Sequence, residues 1–250
     1  MAVFQAALVN EIEKLYKKKK ALVAVILTLA IIVIGQLVIV GVRSGFGVRG
    51  VGSVEFSMLV LSVVINTILP LFTALIVIDS FSGEFAANSM RITLTRPVSR
   101  FKLFSAKLTA VAVFILTALM LLLIFSLLAG FLFNANSASL GDVARIVVAY
   151  LMSLLPLFVL ALGIALAANI LRSGISVFFL AVLGFIVFQG LGMFFTRYSG
   201  LLITTELSWY NLWLASTLPL GKIIREFLIM VGYAIILFTA GFYLFDKKEF

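Results

Sequence analysis

The sequence contains no cysteine and no histidine, and only 12% of its 250 residues are charged. The first two absences exclude disulfide bonds, thiolate chemistry, zinc sites built on Cys or His, and acid–base catalysis by histidine. Soluble domains are about a quarter charged, whereas 64% of this chain is hydrophobic and its mean hydropathy is +1.26. The composition excludes a soluble enzyme and a disordered chain, and it predicts an all-α, polytopic membrane protein.

The few charged residues divide the chain into six apolar segments. A helix needs about 20 apolar residues to cross the hydrocarbon core, and each segment is long enough. The predicted spans are 21–42, 56–78, 108–133, 146–171, 173–196 and 227–245. They form a single transmembrane domain, 1–250, in which residues 197–226 are an outer loop. Within that loop, Glu206, Asn211, Pro219 and two Trp favour an interfacial or re-entrant segment over a seventh span.

Lys and Arg are distributed unevenly between the two sides of these spans. Thirteen of them lie in 1–20, 79–107, Arg172 and 246–250, and six lie on the opposite side. The positive-inside rule therefore predicts that both termini and the 79–107 loop are cytoplasmic, with the chain in the plasma membrane. The net charge of +9 is then explained by cytoplasmic loops and anionic lipid, and no nucleic-acid partner is expected.

Residues 1–20 show the pattern of an amphipathic helix. Apolar side chains recur at helical spacing at Phe4, Leu8, Ile12 and Leu15. Polar side chains occupy the other face at Asn10, Glu13, Lys14 and Lys17. A stripe covering three turns favours an interfacial helix, with Lys17–Lys20 at the headgroups, over a charged topology anchor.

The spans carry almost no reactive chemistry. None of the six contains Asp, Glu, Lys or Arg, which argues against an ion-coupled carrier because coupled ions bind at ionisable residues in the membrane. The Gly221–Lys222 pair lacks the remainder of a phosphate-binding loop. We therefore expect no enzyme activity, no catalytic or metal-binding residues, and no cofactor bound by this chain.

Polar side chains inside the spans are candidates for a substrate path. The candidates are Asn66, Thr67, Asn169 and Gln189. Hydrogen bonding between neighbouring helices is the commoner role for any one such residue, and both interpretations stay open.

The 79–107 loop concentrates charge between uncharged helices. Ser82 can cap a short helix with Glu84 in its first turn, and Met90 contributes to an apolar surface. Pro97 disfavours helical geometry at Arg96, so the short helix ends at a corner. Such a knob is suited to a groove on a partner, whereas the simpler alternative is a basic loop that enforces topology.

This loop resembles that of the type-2 permease subunits of ATP-binding-cassette (ABC) exporters. The resemblance is carried by Glu84, Asn88-Ser89, Thr95-Arg96-Pro97-Val98-Ser99-Arg100 and Lys107. The chain departs from the family pattern at Asn88-Ser89, where Gly-Thr is usual, and at Phe85-Ala86-Ala87, where acidic residues are common. The resemblance extends across the chain, since it includes Asn10-Glu11 in the N-terminal segment and residues Phe242 to Lys248 in the C-terminal segment.

The resemblance implies a permease subunit that moves a substrate outward by alternating access. ATP and Mg would bind a separate ATPase subunit, which a cytoplasmic coupling helix between spans 2 and 3 would contact. The implied contact residues are Glu84, Phe85, Met90, Arg91, Arg96, Pro97 and Arg100. A second permease copy or a related permease would complete the complex in the lipid bilayer. The alternative is a six-helix membrane scaffold or assembly protein that transports nothing.

Overall fold

The computed structural model of the chain describes residues 2–46, 51–83, 99–134, 139–171, 173–195, 200–215 and 217–247. The long helices are α1 (Ala2–Tyr16), α2 (Lys19–Phe46), α3 (Ser53–Asn66), α4 (Ile68–Ser80), α5 (Arg100–Phe133), α6 (Leu140–Met152), α7 (Leu154–Ile170), α8 (Gly174–Phe194) and α11 (Leu220–Lys247). Between α8 and α11 lie short elements: α9 (Ile203–Glu206), the 3-10 helix Leu207–Tyr210 and α10 (Asn211–Leu214). These ranges include no strand element, so the all-α fold class is confirmed.

Within the described residues, five helical segments are long and apolar enough to cross a membrane. They are α2, α5, the near-continuous α6–α7, α8 and α11. The pair α3–α4 makes a sixth if its two halves are counted as one span, bent by 46°. The prediction of a polytopic membrane protein is therefore confirmed.

Proline explains why two of these spans are divided. A proline ring clashes with the carbonyl four residues before it, and Pro70 and Pro156 follow the last residues of α3 (Asn66) and α6 (Met152) by that spacing. Thr67 leaves helical geometry (φ −128°, ψ −75°), whereas Ser153 keeps it (φ −62°, ψ −18°). The first proline therefore produces a bend, and the second only interrupts the hydrogen-bond ladder.

Helix α5 lies at the centre of the bundle. It packs against α1, α2, α3 and α7, and α11 packs mainly on α7. Near its end, the backbone of Gly130 lies so close to the Ser53 carbonyl that a Cβ would overlap it. Only glycine allows this approach of α5 to the start of α3.

Helix α8 is almost uncovered by the rest of the described chain. Val177 is its one buried residue among those described, and Leu183 and Ile186 are 59% and 61% exposed. Burying such large apolar side chains against lipid is favourable, whereas water would penalise their exposure. The exposed surface of α8 is therefore what a membrane span requires.

The bundle has two ends. The basal end holds the end of α4, the start of α5 and the end of α11, because Phe81, Phe104 and Phe245 meet there. It also holds α1, which packs on α5. The distal end holds the short elements α9 and α10. At the basal end α1 packs into the core through Leu15, which is 3% exposed. That α1 also lies in the membrane interface stays a prediction.

Candidate functional site

A buried ion pair joins α1 to α5 at the basal end. The Lys107 side chain is fully buried, and its Nζ donates hydrogen bonds to Glu11 Oε2 and to the Ser80 carbonyl, both at 2.9 Å. The same Glu11 carboxylate accepts from Lys14 Nζ at 2.7 Å. We call the set Glu11, Lys14, Lys18, Lys20, Asp79, Ser80 and Lys107 the basal clasp. Its centre connects α1, α4 and α5.

Charge complementarity makes this burial tolerable. A buried ion loses its hydration and must recover that free energy from partners. Burial raises the pKa of Glu11, but the ammonium groups of Lys107 and Lys14 outweigh it and hold that pKa below its usual value. Lys107 in turn bonds a carbonyl at the end of α4, where unpaired carbonyls carry partial negative charge. The Glu11 carboxylate is therefore charged at neutral pH.

Asp79 extends the basal clasp toward the lysine-rich junction of α1 and α2. Its Oδ1 lies 2.8 Å from Lys20 Nζ, and its Oδ2 lies 3.6 Å from Lys18 Nζ. These lysines are partly exposed, so each pair contributes less than the buried one. The end of α4 is thus tied to α1 and α2 as well as to α5.

An aromatic cluster fixes the same region from the other side. Phe81, Phe104 and Phe245 are fully buried, with ring centroids 5.4 to 6.3 Å apart. These distances are typical of favourable aromatic pairs. Because the three rings come from the end of α4, the first turns of α5 and the last turn of α11, three helices meet at this point.

The start of α5, which follows the predicted coupling helix in the sequence, is held in place by contacts with α11. Residues 84–98 lie outside the described part of the chain, and with them the predicted contact residues Glu84, Phe85, Met90, Arg91, Arg96 and Pro97. Of the predicted set, Arg100 is described: it begins α5 and its Nη1 donates to the Asp246 carbonyl. The neighbouring Phe101 ring packs on Phe242 at 5.3 Å. The described residues that follow 98 therefore belong to the same packed region as the end of α11.

The structure does not gather the predicted substrate-path residues into one site. Asn66 Nδ2 and Thr67 Oγ1 donate to carbonyls of their own helix, those of Ser62 and Val63, at the bend between α3 and α4. Such bonds from a side chain to the carbonyl four residues before it often accompany a bend in a helix. In this arrangement the two side chains bond within α3, next to the bend.

Asn169 and Gln189 lie at different levels of the bundle. Asn169 is buried near the end of α7, and its Nδ2 donates to the Ala165 carbonyl and, at 3.5 Å, to the Gly241 carbonyl of α11. Gln189 lies about four turns, or roughly 20 Å, along α8 from Gly174. Since α8 begins just after α7 ends, the two side chains are separated by most of a span. A substrate path through these residues stays a prediction.

Sequence reasoning missed the pairing of Glu11 with Lys107, although a signal was present. Glu11 borders the apolar stripe formed by Leu8, Ile12 and Leu15, one turn before Leu15. A charge on the apolar face of an amphipathic helix needs a buried partner. Lys107 is the last charge before a long apolar span and so was an available partner.

A second polar cluster lies at the distal end. Glu206 and Trp209 are each 3% exposed, and Trp209 packs against Trp213 and Phe227. Burial, and then the nearby Glu226, raise the pKa of Glu206 to about 7 against the opposing effect of Arg225 and Lys222. Within the described residues, Glu206 Oε2 and both indole N–H groups have no hydrogen-bond partner. The described part of the chain contains no group of three or more acidic residues suited to a metal ion.

Comparison with protein families assigns this architecture. The model of the ABC-2 family transporter proteins matches residues 7–190, which include most of α1, both partners of the buried ion pair and most of α8. A comparison with curated proteins gave no match. The family match covers well over half of the sequence, and the chain belongs to the ABC-2 family of transporter proteins.

Proposed function

We propose that the chain is the permease subunit of an ABC exporter, which moves a substrate outward by alternating access. ATP hydrolysis on a separate ATPase subunit drives the movement, and residues 84–98 transmit it. The basal clasp is the observation that carries this proposal. A loop that transmits force needs a firm base, and Lys107, Ser80 and Glu11 tie the helices on both sides of the loop together.

Helix α5 provides the route from this base through the membrane. It is a single helix of 34 residues, about 50 Å long. Its N-terminal turns carry Arg100, Phe104 and Lys107, and its far end contacts Ser53 through Gly130. A displacement of the basal end is therefore passed directly to the start of α3 at the distal end.

The distribution of Lys and Arg sets the orientation of the permease in the membrane. The excess of Lys and Arg on the basal side faces the cytoplasm under the positive-inside rule, where an ATPase subunit and its nucleotide are located. The ATPase subunit is the partner of residues 84–98, and a second copy of this chain or a related permease forms the other half of the pathway.

Co-purification tests this function. The tagged chain is isolated from its source membranes under mild conditions, and the co-purifying subunits are identified by mass spectrometry. We expect a subunit with a phosphate-binding loop, ATP turnover by the complex, and no turnover by the chain alone. Arg100→Glu should reduce recovery of that subunit, while Arg145→Glu, an exposed charge on α6, should not. Turnover by the isolated chain, or normal recovery with Arg100→Glu, would contradict the proposal.

A further inference from the structure

A cleft of about 340 Å³ lies between α2 and α5, next to the end of α1. Leu22, Val25 and Thr28 form one wall, and Phe114, Thr117 and Leu121 form the other. Sites for small ligands measure about 300–1,000 Å³, so the volume is sufficient for a bound molecule. Because Leu22 to Val42 is a candidate span, the cleft opens at membrane depth and not to bulk water.

The walls of the cleft have little hydrogen-bonding capacity left to offer. The Thr28 hydroxyl donates to the Ala24 carbonyl, and the Thr117 hydroxyl donates to the Val113 carbonyl. The Tyr16 hydroxyl closes the basal side by donating to Thr117 Oγ1 at 2.7 Å. With their donors used internally, these walls suit an apolar chain better than a polar substrate.

The basal rim of the cleft is positively charged. Lys17, Lys18, Lys19 and Lys20 connect Tyr16 to Leu22, which both line the cleft. Lys19 is exposed and precedes Leu22 by three residues, so it lies on the same side of α2, one turn closer to the basal end. Three of the four ammonium groups, those of Lys17, Lys18 and Lys20, pair with two carboxylates, Glu13 and Asp79. The rim therefore keeps an excess of positive charge.

We propose that this cleft is a binding site for a phospholipid with an anionic headgroup. One acyl chain fills the space between Val25 and Leu121, and the headgroup phosphate lies at the lysine rim beside Lys19. The charge of the rim selects this occupant, because a zwitterionic lipid would gain the same apolar contacts without the electrostatic attraction. The lipid would connect α2 to α5, the helix that carries Lys107.

Photo-crosslinking in vesicles tests the site. The full chain is reconstituted in phosphatidylcholine containing a trace of phosphatidylglycerol with a diazirine near the middle of one acyl chain, and the labelled peptides are mapped by mass spectrometry. The same diazirine chain on phosphatidylcholine serves as the comparison lipid. We expect phosphatidylglycerol to label peptides of α2 and α5 several-fold more strongly than the comparison lipid does.

Two variants separate a selective site from ordinary lipid contact. Lys19→Gln should lower labelling by phosphatidylglycerol by about fivefold, the effect of one lysine near a membrane surface, while Lys222→Gln at the distal end should not. Ala118→Phe should fill the cleft and abolish the labelling, while Gly190→Phe, which points into open space on α8, should not. Lys19 is exposed, so its variant is informative even if Ala118→Phe does not accumulate. Equal labelling by the two lipids, or labelling unaffected by Lys19→Gln, would show only annular lipid and overturn the proposal.

Discussion

Glu11 and Lys107, 96 residues apart in the sequence, form an ion pair with an Oε2–Nζ distance of 2.9 Å at the basal end of the bundle. Neither side chain is more than 4% exposed. An ion pair this deep favours one arrangement of α1 on α5, because any other leaves a charge buried without a partner. The pair therefore fixes the position of the N-terminal helix.

Removing one partner of this pair should be costly. We expect Glu11→Ala to destabilise the protein by about 3 kcal/mol, since the buried Lys107 ammonium then loses the carboxylate that compensates its charge. Lys107→Met should cost less, because Lys14 still faces the carboxylate. Thermal unfolding of the detergent-solubilised protein measures both. Glu13→Ala, on the exposed face of α1, is the control and should change little.

A double-mutant cycle on the same pair gives a stricter test. Glu11→Ala combined with Lys107→Met should be less destabilising than the sum of the single changes, with a coupling of about 1–3 kcal/mol. Additive effects would show that the two charges are stabilised separately.

The pH dependence of stability should report Glu206. Its pKa is raised to about 7, above the usual value of 4.5, so the folded protein holds a proton that the unfolded chain releases. The contribution of Glu206 to stability should therefore be greatest below about pH 4.5, fall as the pH rises through about 7, and then level off. Glu206→Gln should flatten this decline, whereas Glu55→Gln at an exposed position should preserve it. Unfolding temperatures between pH 5 and 8.5 provide the measurement, and an unchanged slope in Glu206→Gln would contradict this assignment.

Gly130→Ala should destabilise the protein by about 1–3 kcal/mol, the range for overpacking. The new methyl group would overlap the Ser53 carbonyl, so α5 and α3 would have to separate. Gly184→Ala is the matched control within a span, because nothing lies within 4 Å of its added methyl group. Thermal unfolding should distinguish the two, and equal effects would exclude a close approach at Gly130.

The bend between α3 and α4 should depend on Pro70. Pro70→Ala restores an N–H that can bond the Asn66 carbonyl, so the 46° bend should decrease. Because the chain has no native cysteine, spin labels at Leu59→Cys and Leu75→Cys can report the distance across the bend. We expect a longer distance in Pro70→Ala and no comparable change in Pro156→Ala, whose break keeps helical geometry.

The sequence predicted an all-helical, polytopic membrane protein, because gaps between charges and the thickness of the bilayer restrict such a chain strongly. The helices extend beyond the apolar segments: α2 begins at Lys19 and α5 at Arg100, since Lys and Arg are good helix formers. The ion pair of Glu11 with Lys107 depends on how α1 packs on α5, which no local pattern determines. Pro70 alone predicts an interruption of the helix but not its bend, because Pro156 interrupts α6–α7 while Ser153 keeps helical geometry.

Site-specific cross-linking tests the central claim, that the basal end contacts the ATPase subunit, most directly. Ser99 and Ser139 both cap helices, α5 at the basal end and α6 at the distal end, so Ser99→Cys and Ser139→Cys are matched variants in a chain without native cysteine. Each carries a short photo-activated cross-linker on the cysteine, in membranes that contain the ATPase subunit. We predict that Ser99→Cys forms a covalent adduct with that subunit and that Ser139→Cys does not. Adducts from Ser139→Cys, with none from Ser99→Cys, would contradict the account.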